Sequence, residues 1–179
     1  MSKITSPREF LPVNIAVMTV SDTRELADDR SGDTLVGRIE NAGHKLAART
    51  IVKDERDQII AQLDRWIADP AIDVVISTGG TGVTGRDITP EAFQQVFEKE
   101  IPGFGELFRQ VSYKIIGTST IQSRATAGVA GGTYLFALPG SPGACKDAWD
   151  HILKDQLDAR FTPCNFVELM PRLQEHLAG

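Results

Sequence analysis

Gly79, Gly80, Gly82 and Gly85 lie close together in the chain, followed at once by one cation, Arg86, and one acid, Asp87. Glycine lets backbone amides approach an anion without interference from a Cβ. A carboxylate beside a polyphosphate commonly serves to hold Mg²⁺. The run before this loop, Val74-Val75-Ile76, is apolar and β-branched, as a buried parallel strand requires. After it, Thr89-Pro90-Glu91 reads as a helix start, with Thr as N-cap, Pro at the first helical position and an acid in the first turn. A loop at the carboxyl end of such a strand is where open α/β sheets bind ligands. A phosphorylated ligand is the first inference.

Two familiar phosphate motifs do not fit. Gly80-Thr81-Gly82-Val83-Thr84-Gly85 satisfies G-x-G-x-x-G, yet the helix start falls after the last glycine, whereas a dinucleotide fingerprint places its third glycine inside the helix. The same glycines have P-loop spacing, but Arg86-Asp87 stands where Lys-Ser/Thr is needed, so the hydroxyl ligand for Mg²⁺ is missing. What remains is a glycine loop with acids. Asp87 reads equally as an exposed turn acid or as a metal or substrate ligand. Asp54, in Lys53-Asp54-Glu55, reads by itself as a loop acid.

The elements that must position these residues alternate in type. Asn14–Val20, Lys45–Val52, 74–76 and Thr133–Leu138 read as strands. Helices are expected over Thr34–Ala42, begun by Ser31-Gly32-Asp33 and stopped by Gly43, and over Arg56–Ala68, where Ile59, Ile60, Leu63, Trp66 and Ile67 share one face. Further helices follow Thr89, contain Phe104, Leu107, Phe108 and Val111, and run from Ser141-Pro142 to about Leu157. Residues 115–130 read as less regular. Strands alternating with helices imply a three-layer α/β fold, a doubly wound, mostly parallel sheet covered on both faces. In it the polar strand ends Ser21-Asp22, Asp54, Gly79 to Asp87 and Pro139 to Gly143 lie along one edge and could converge.

At 179 residues, with 41% hydrophobic and 24% charged side chains, the chain is expected to form one domain over 13–179, preceded by a flexible arm at 1–12. A net charge of −5 and the lack of a basic stripe argue against nucleic-acid binding. No run approaches a membrane span and no signal peptide opens the chain, so a cytoplasmic protein is expected. Cys145 and Cys164 show no C-x-x-C spacing and read as small buried residues. His44, His151 and His176 lack metal-ligand spacing.

The ordered set STGGTGVTGRDITPEA, IPGFGELFRQVS, TSTIQSRATAG and ALPGSPGACKDAW resembles the MoaB/MogA family of molybdenum cofactor biosynthesis, over about Asn14 to Phe166. The ending QLDARFTPCNF is similar to the B-type members. The resemblance implies the molybdopterin-binding fold and a homo-oligomer, a trimer or a hexamer built as a dimer of trimers. It implies Mg²⁺-dependent adenylylation of molybdopterin by ATP before metal insertion, or else a non-catalytic molybdopterin carrier or scaffold working beside other molybdenum cofactor enzymes. By motif, Asp54 and Asp87 match the family's two essential aspartates and would hold Mg²⁺ and align the ATP phosphates. Gly79, Gly80, Thr81 and Gly82 would cradle phosphate, with Ser21 and Asp22 at the edge of the nucleotide site. Ser123, Arg124, Gly140, Ser141 and Pro142 would line the molybdopterin side. Arg124 reads as well as a surface or interface residue, and Ser141 as a helix cap only.

Overall fold

In the computed structural model, residues 8–177 are described. Six strands form one sheet in the order β2-β1-β3-β6-β5-β4: β1 Asn14–Val20, β2 Lys45–Val52, β3 Val74–Thr78, β4 Lys99–Glu100, β5 Thr126–Ala130 and β6 Thr133–Leu138. β2, β1, β3 and β6 run parallel, and β5 and β4 add an antiparallel edge. Side chains alternate between two cores, because successive residues of a strand face opposite ways. Ile15 and Val17 point to one face, covered by α1 (Arg30–Asn41), α4 (Pro102–Ile116) and α5 (Pro142–Ala148) through Leu35, Ile39, Phe104, Phe108 and Ala148. Ala16 and Met18 point to the other, covered by α2 (Arg56–Ile67) and α3 (Thr89–Val96) through Ile59, Leu63, Trp66 and Phe93. The expected three-layer α/β fold is the observed one.

Three of the four expected strands have the expected bounds, and β3 runs on past Ile76 to Thr78. The differences have local causes. β5 hides in the stretch read as irregular, because Thr-Ala-Gly-Val-Ala is buried throughout and shows no alternation. α1 begins at Arg30 rather than Thr34: the buried Asp29 caps it, accepting from the Gly32 amide at 3.0 Å, so the Ser-Gly-Asp run lies inside the helix. Thr89 is not a cap either. It is already helical, and its hydroxyl donates to the Gly79 carbonyl at 2.9 Å. The helix opened by Pro142 passes through a π turn at Trp149–Leu153 before ending at Gln156. Cys145 is buried, but Cys164 is exposed, contrary to its reading as a buried residue. Of the expected arm, residues 1–7 lie outside the described residues, while Phe10 packs on the His44 ring, centroids 5.0 Å apart, under the Arg160 guanidinium.

Register places the site. Thr19 pairs with Thr78 and Thr78 with Leu138, so β1, β3 and β6 end level, and the loops that follow them meet. The Gly79 amide donates to the Leu138 carbonyl at 3.0 Å, and the Ser21 amide to the Val52 carbonyl at 2.9 Å.

Candidate functional site

The loop after β3 is held from three sides. Gly79, at φ +109°, packs on the Val20 carbonyl of β1, where a Cβ would collide. A Cβ on Gly80 would lie 2.9 Å from Asp54 Oδ1, and one on Gly82 would lie 2.8 Å from Asp87 Oδ2. The two acids expected to act together therefore abut near neighbours of one backbone segment. Side-chain oxygens occupy the space a Cβ would take at both positions: the Thr89 hydroxyl, closer still, together with Asp54 at Gly80, and Asp87 at Gly82.

Those carboxylates have opposite environments. Burial pushes Asp54 above the ordinary carboxylate range; the neighbouring Asp22 and Asp87 charges add to this, and Arg86 opposes it. The Asp22 amide, hydrogen-bonded to the Asp54 carboxylate, also opposes the rise, and the Asp54 amide in turn donates to Asp22 Oδ1 at 3.2 Å. Asp87 is also pushed upward by burial, but the Thr84 hydroxyl and the Thr84 and Gly82 amides outweigh this and hold it low. Both Thr84 groups reach Oδ2, at 2.7 and 2.8 Å. Asp87 is thus a firmly held anion, and Asp54 a carboxylate whose charge its surroundings disfavour.

Arg124 lies behind the loop. Its amide donates to the Thr81 carbonyl at 2.9 Å, Nε to the Gly82 carbonyl at 2.6 Å and NH2 to the Asp87 carbonyl at 2.7 Å, while NH1 pairs with Glu91. This differs from the expectation that it lines a ligand cavity: its fork is taken up by the chain it braces. Ser141 caps its own helix, accepting from the Ala144 amide at 3.1 Å. Pro142 is the first helical residue and faces no cavity.

Gly80, Thr81, Gly82, Asp87, Ser123, Gly140 and Ser141 open onto one cavity of about 360 Å³, with Phe108, Ile116 and Ala144 as apolar wall and Ser112, Ser119 and Thr120 as hydroxyl rim. The Thr81 hydroxyl, at 2% exposure, has no hydrogen-bond partner. A buried hydroxyl left unpaired costs free energy unless something completes it, and here the cavity lies beside it. Ser21 and Asp22 do not share this cavity. They line an adjoining hollow of about 430 Å³ with Arg49 and Lys53 at the ends of β1 and β2. Asp54 and Gly80 lie between the two. A further hollow of about 380 Å³, between β4 and the C-terminal turns, lacks the glycine backbone.

Within the described residues no three His, Cys, Asp or Glu side chains are grouped to hold a metal ion by themselves. Asp54 and Asp87 offer two carboxylates beside the glycine loop, which suits Mg²⁺, an ion that takes one or two protein carboxylates and completes its shell with phosphate oxygens and water. Residues that sequence reasoning did not single out also act here. Arg24 joins two loops, donating to Ser31 Oγ at 2.7 Å and to the Gly140 carbonyl at 3.2 Å. Glu55 pairs with Arg86 at 3.0 Å. Contacts between loops so distant in sequence leave no local pattern.

Residues 16–159 match the family described as a probable molybdopterin binding domain. The chain is 50% identical over 166 residues to molybdenum cofactor biosynthesis protein B of Escherichia coli K12, covering 93% of this chain and 96% of that protein. It is 46% identical to the Bacillus subtilis protein of the same name, over 81% of this chain and 86% of that one. A crystal structure of molybdenum cofactor biosynthesis protein B superimposes with a TM-score of 0.84 at 36% identity, covering 94% of this chain and 99% of that one. The tungsten cofactor synthesizing protein MoaB of Pyrococcus furiosus, also 36% identical, superimposes with a TM-score of 0.71 over 80% of this chain and 92% of that one.

Proposed function

The chain belongs to the MoaB/MogA family of molybdenum cofactor biosynthesis proteins, and from that premise we propose that it binds molybdopterin and adenylylates it with Mg²⁺ and ATP. The terminal phosphate oxygen of molybdopterin attacks the α-phosphorus of ATP. The bond from that phosphorus to the bridging oxygen breaks, pyrophosphate leaves, and the pterin carries AMP. Such a reaction asks for alignment and charge stabilisation rather than covalent help from the protein.

The observation that carries this reading is the placement of Asp54 against Gly80 and of Asp87 against Gly82. Asp54 and Asp87 would hold the metal, which would supply positive charge to the phosphates and to the pyrophosphate leaving group. The loop backbone from Gly79 to Gly82 and the Thr81 hydroxyl are assigned to phosphate oxygens. The cavity with Ser123, Gly140 and Ser141 is assigned to the pterin, and the adjoining hollow at Ser21 and Asp22 to the nucleotide. Arg124 is assigned to holding the loop in shape.

The active form is proposed to be a homo-oligomer, a trimer or a dimer of trimers. Its support is a run of exposed apolar residues at the end of α4 and in the turn after it: Tyr113, Ile115, Ile116 and Ile121. Sedimentation of the purified protein distinguishes these states, and a monomer would remove the proposal. A cytoplasmic location is proposed on the unpaired state of Cys145 and Cys164. No described helix is long and apolar enough to cross a membrane.

The test is incubation with molybdopterin, Mg²⁺ and ATP, following adenylylated pterin and pyrophosphate. Asp54→Asn is expected to lower the rate by roughly a hundredfold or more, the scale of losing one group that stabilises transition-state charge. Folded parent protein that binds the pterin without forming product would leave a carrier in place of an enzyme.

A further inference from the structure

Three arginines surround the glycine loop, and they are held in different ways. Arg124 is tied to backbone carbonyls and Glu91, and Arg24 to a hydroxyl and a carbonyl. Arg86 is tied only to carboxylates of other loops. Nε and NH2 reach the two oxygens of Asp22 at 3.0 and 2.9 Å, and NH2 reaches Glu55 at 3.0 Å. Side-chain exposures of 57% for Arg86, 37% for Asp22 and 51% for Glu55 put these pairs in solvent, where exchanging partners costs little.

The backbone around Arg86 is equally free to yield. Val83 is 65% exposed, and a Cβ on Gly85 would meet nothing within 4 Å, whereas the next residue, Asp87, is fastened by Arg124 and Thr84. The side chain can therefore swing about a fixed base. It stands among four acids, Asp22, Asp54, Glu55 and Asp87, and its charge is felt at Asp54, with which it forms no hydrogen bond. The two-pronged grip on Asp22 is also the geometry by which a guanidinium holds two oxygens of a phosphate.

We propose that Arg86 is a movable counter-charge of this site, parked on Asp22 and Glu55 in the free protein and transferred to the phosphate chain of a nucleoside triphosphate when one binds. The proposal rests on the nucleotide reading of the site given above. It makes Arg86 a substrate-contacting residue and Glu55 a competitor for it, so the two must act with opposite sign.

The experiment is calorimetric titration of the full chain with Mg²⁺ and α,β-methylene ATP, which cannot transfer its α-phosphate. Arg86→Gln is expected to weaken binding roughly tenfold, the scale of losing a charge-assisted bidentate contact, with Arg86→Lys between it and the parent. Glu55→Gln is expected to tighten binding a few-fold by weakening the parked state. Mn²⁺ alone, followed by its relaxation signal, should bind Arg86→Gln more tightly than the parent, because a cation has been removed from the acids. Thermal unfolding of both variants verifies the fold. A parent that does not bind the analogue overturns the nucleotide reading and this proposal together. A parent that binds, with Arg86→Gln binding equally well or Glu55→Gln binding more weakly, overturns the movable counter-charge and leaves the nucleotide reading intact.

Discussion

Gly80 and Asp54 are in such close approach that a single methyl group on Gly80 would lie 2.9 Å from Asp54 Oδ1. The glycine also has φ +65°, a backbone conformation that costs an L-residue about 1–2 kcal/mol. A Cβ would lie closer still to Thr89 Oγ1, so Gly80→Ala is expected to fold with at least that loss of stability and to displace both Thr89 and Asp54. Adenylylation should fall by roughly a hundredfold, as misplacement on the ångström scale does. Thermal unfolding and turnover measured together verify this. A variant with full turnover would mean that Asp54 need not touch the loop.

The Arg124 guanidinium holds the Gly82 and Asp87 carbonyls, and Glu91, with donors in a rigid fork. Arg124→Lys cannot reproduce that grip, because an ammonium has no fixed plane. Both Arg124→Lys and Arg124→Ala are expected to lower kcat strongly through Asp87. Pterin binding in the fluorescence of the bound ligand should change little. A selective loss of pterin affinity would return Arg124 to the ligand-binding group.

His44 Nδ1 accepts the Val13 amide at 3.2 Å, so the ring is neutral with its proton on Nε2. Burial holds its pKa below the ordinary value, against a smaller pull from Asp158. A depressed pKa means the unfolded chain takes up the proton first. The stabilising contribution is complete above the ordinary histidine value of about 6.5. It is lost as pH falls from there through the lowered folded value. His44→Asn, whose amide oxygen can accept the same bond, should flatten the fall in Tm between pH 7 and 5; an unchanged slope would contradict this.

Asp29 is fully buried and serves four partners: the Gly32 amide, Thr19 Oγ1 at 2.7 Å, Arg49 NH2 at 2.9 Å and, more loosely, Ser31 Oγ at 3.4 Å. Burial acts to raise its pKa, but the first three partners outweigh it and hold it low. Asp29→Ala leaves Arg49 without its buried counter-charge and uncaps α1, and is expected to cost about 3 kcal/mol in urea unfolding. A loss below about 1 kcal/mol would show that the cap alone matters.

The chain by itself determined the alternation of elements, the bounds of three strands and the presence of a glycine loop with acids at a strand end. Those features are local: apolar runs, turn residues and helix periodicity are written within a few positions of one another. It also carried the family, because four motifs in order are a linear signal. β5 escaped, since a fully buried strand of small residues has no period to read. The company each site residue keeps was decided only by tertiary structure. Thr89 serves the Gly79 carbonyl rather than its own helix end, Arg124 faces the loop rather than the cavity, and Arg86 reaches across to Asp22. A side chain's partner is set by which strand ends the parallel register brings level, and that register belongs to the folded sheet rather than to any one segment.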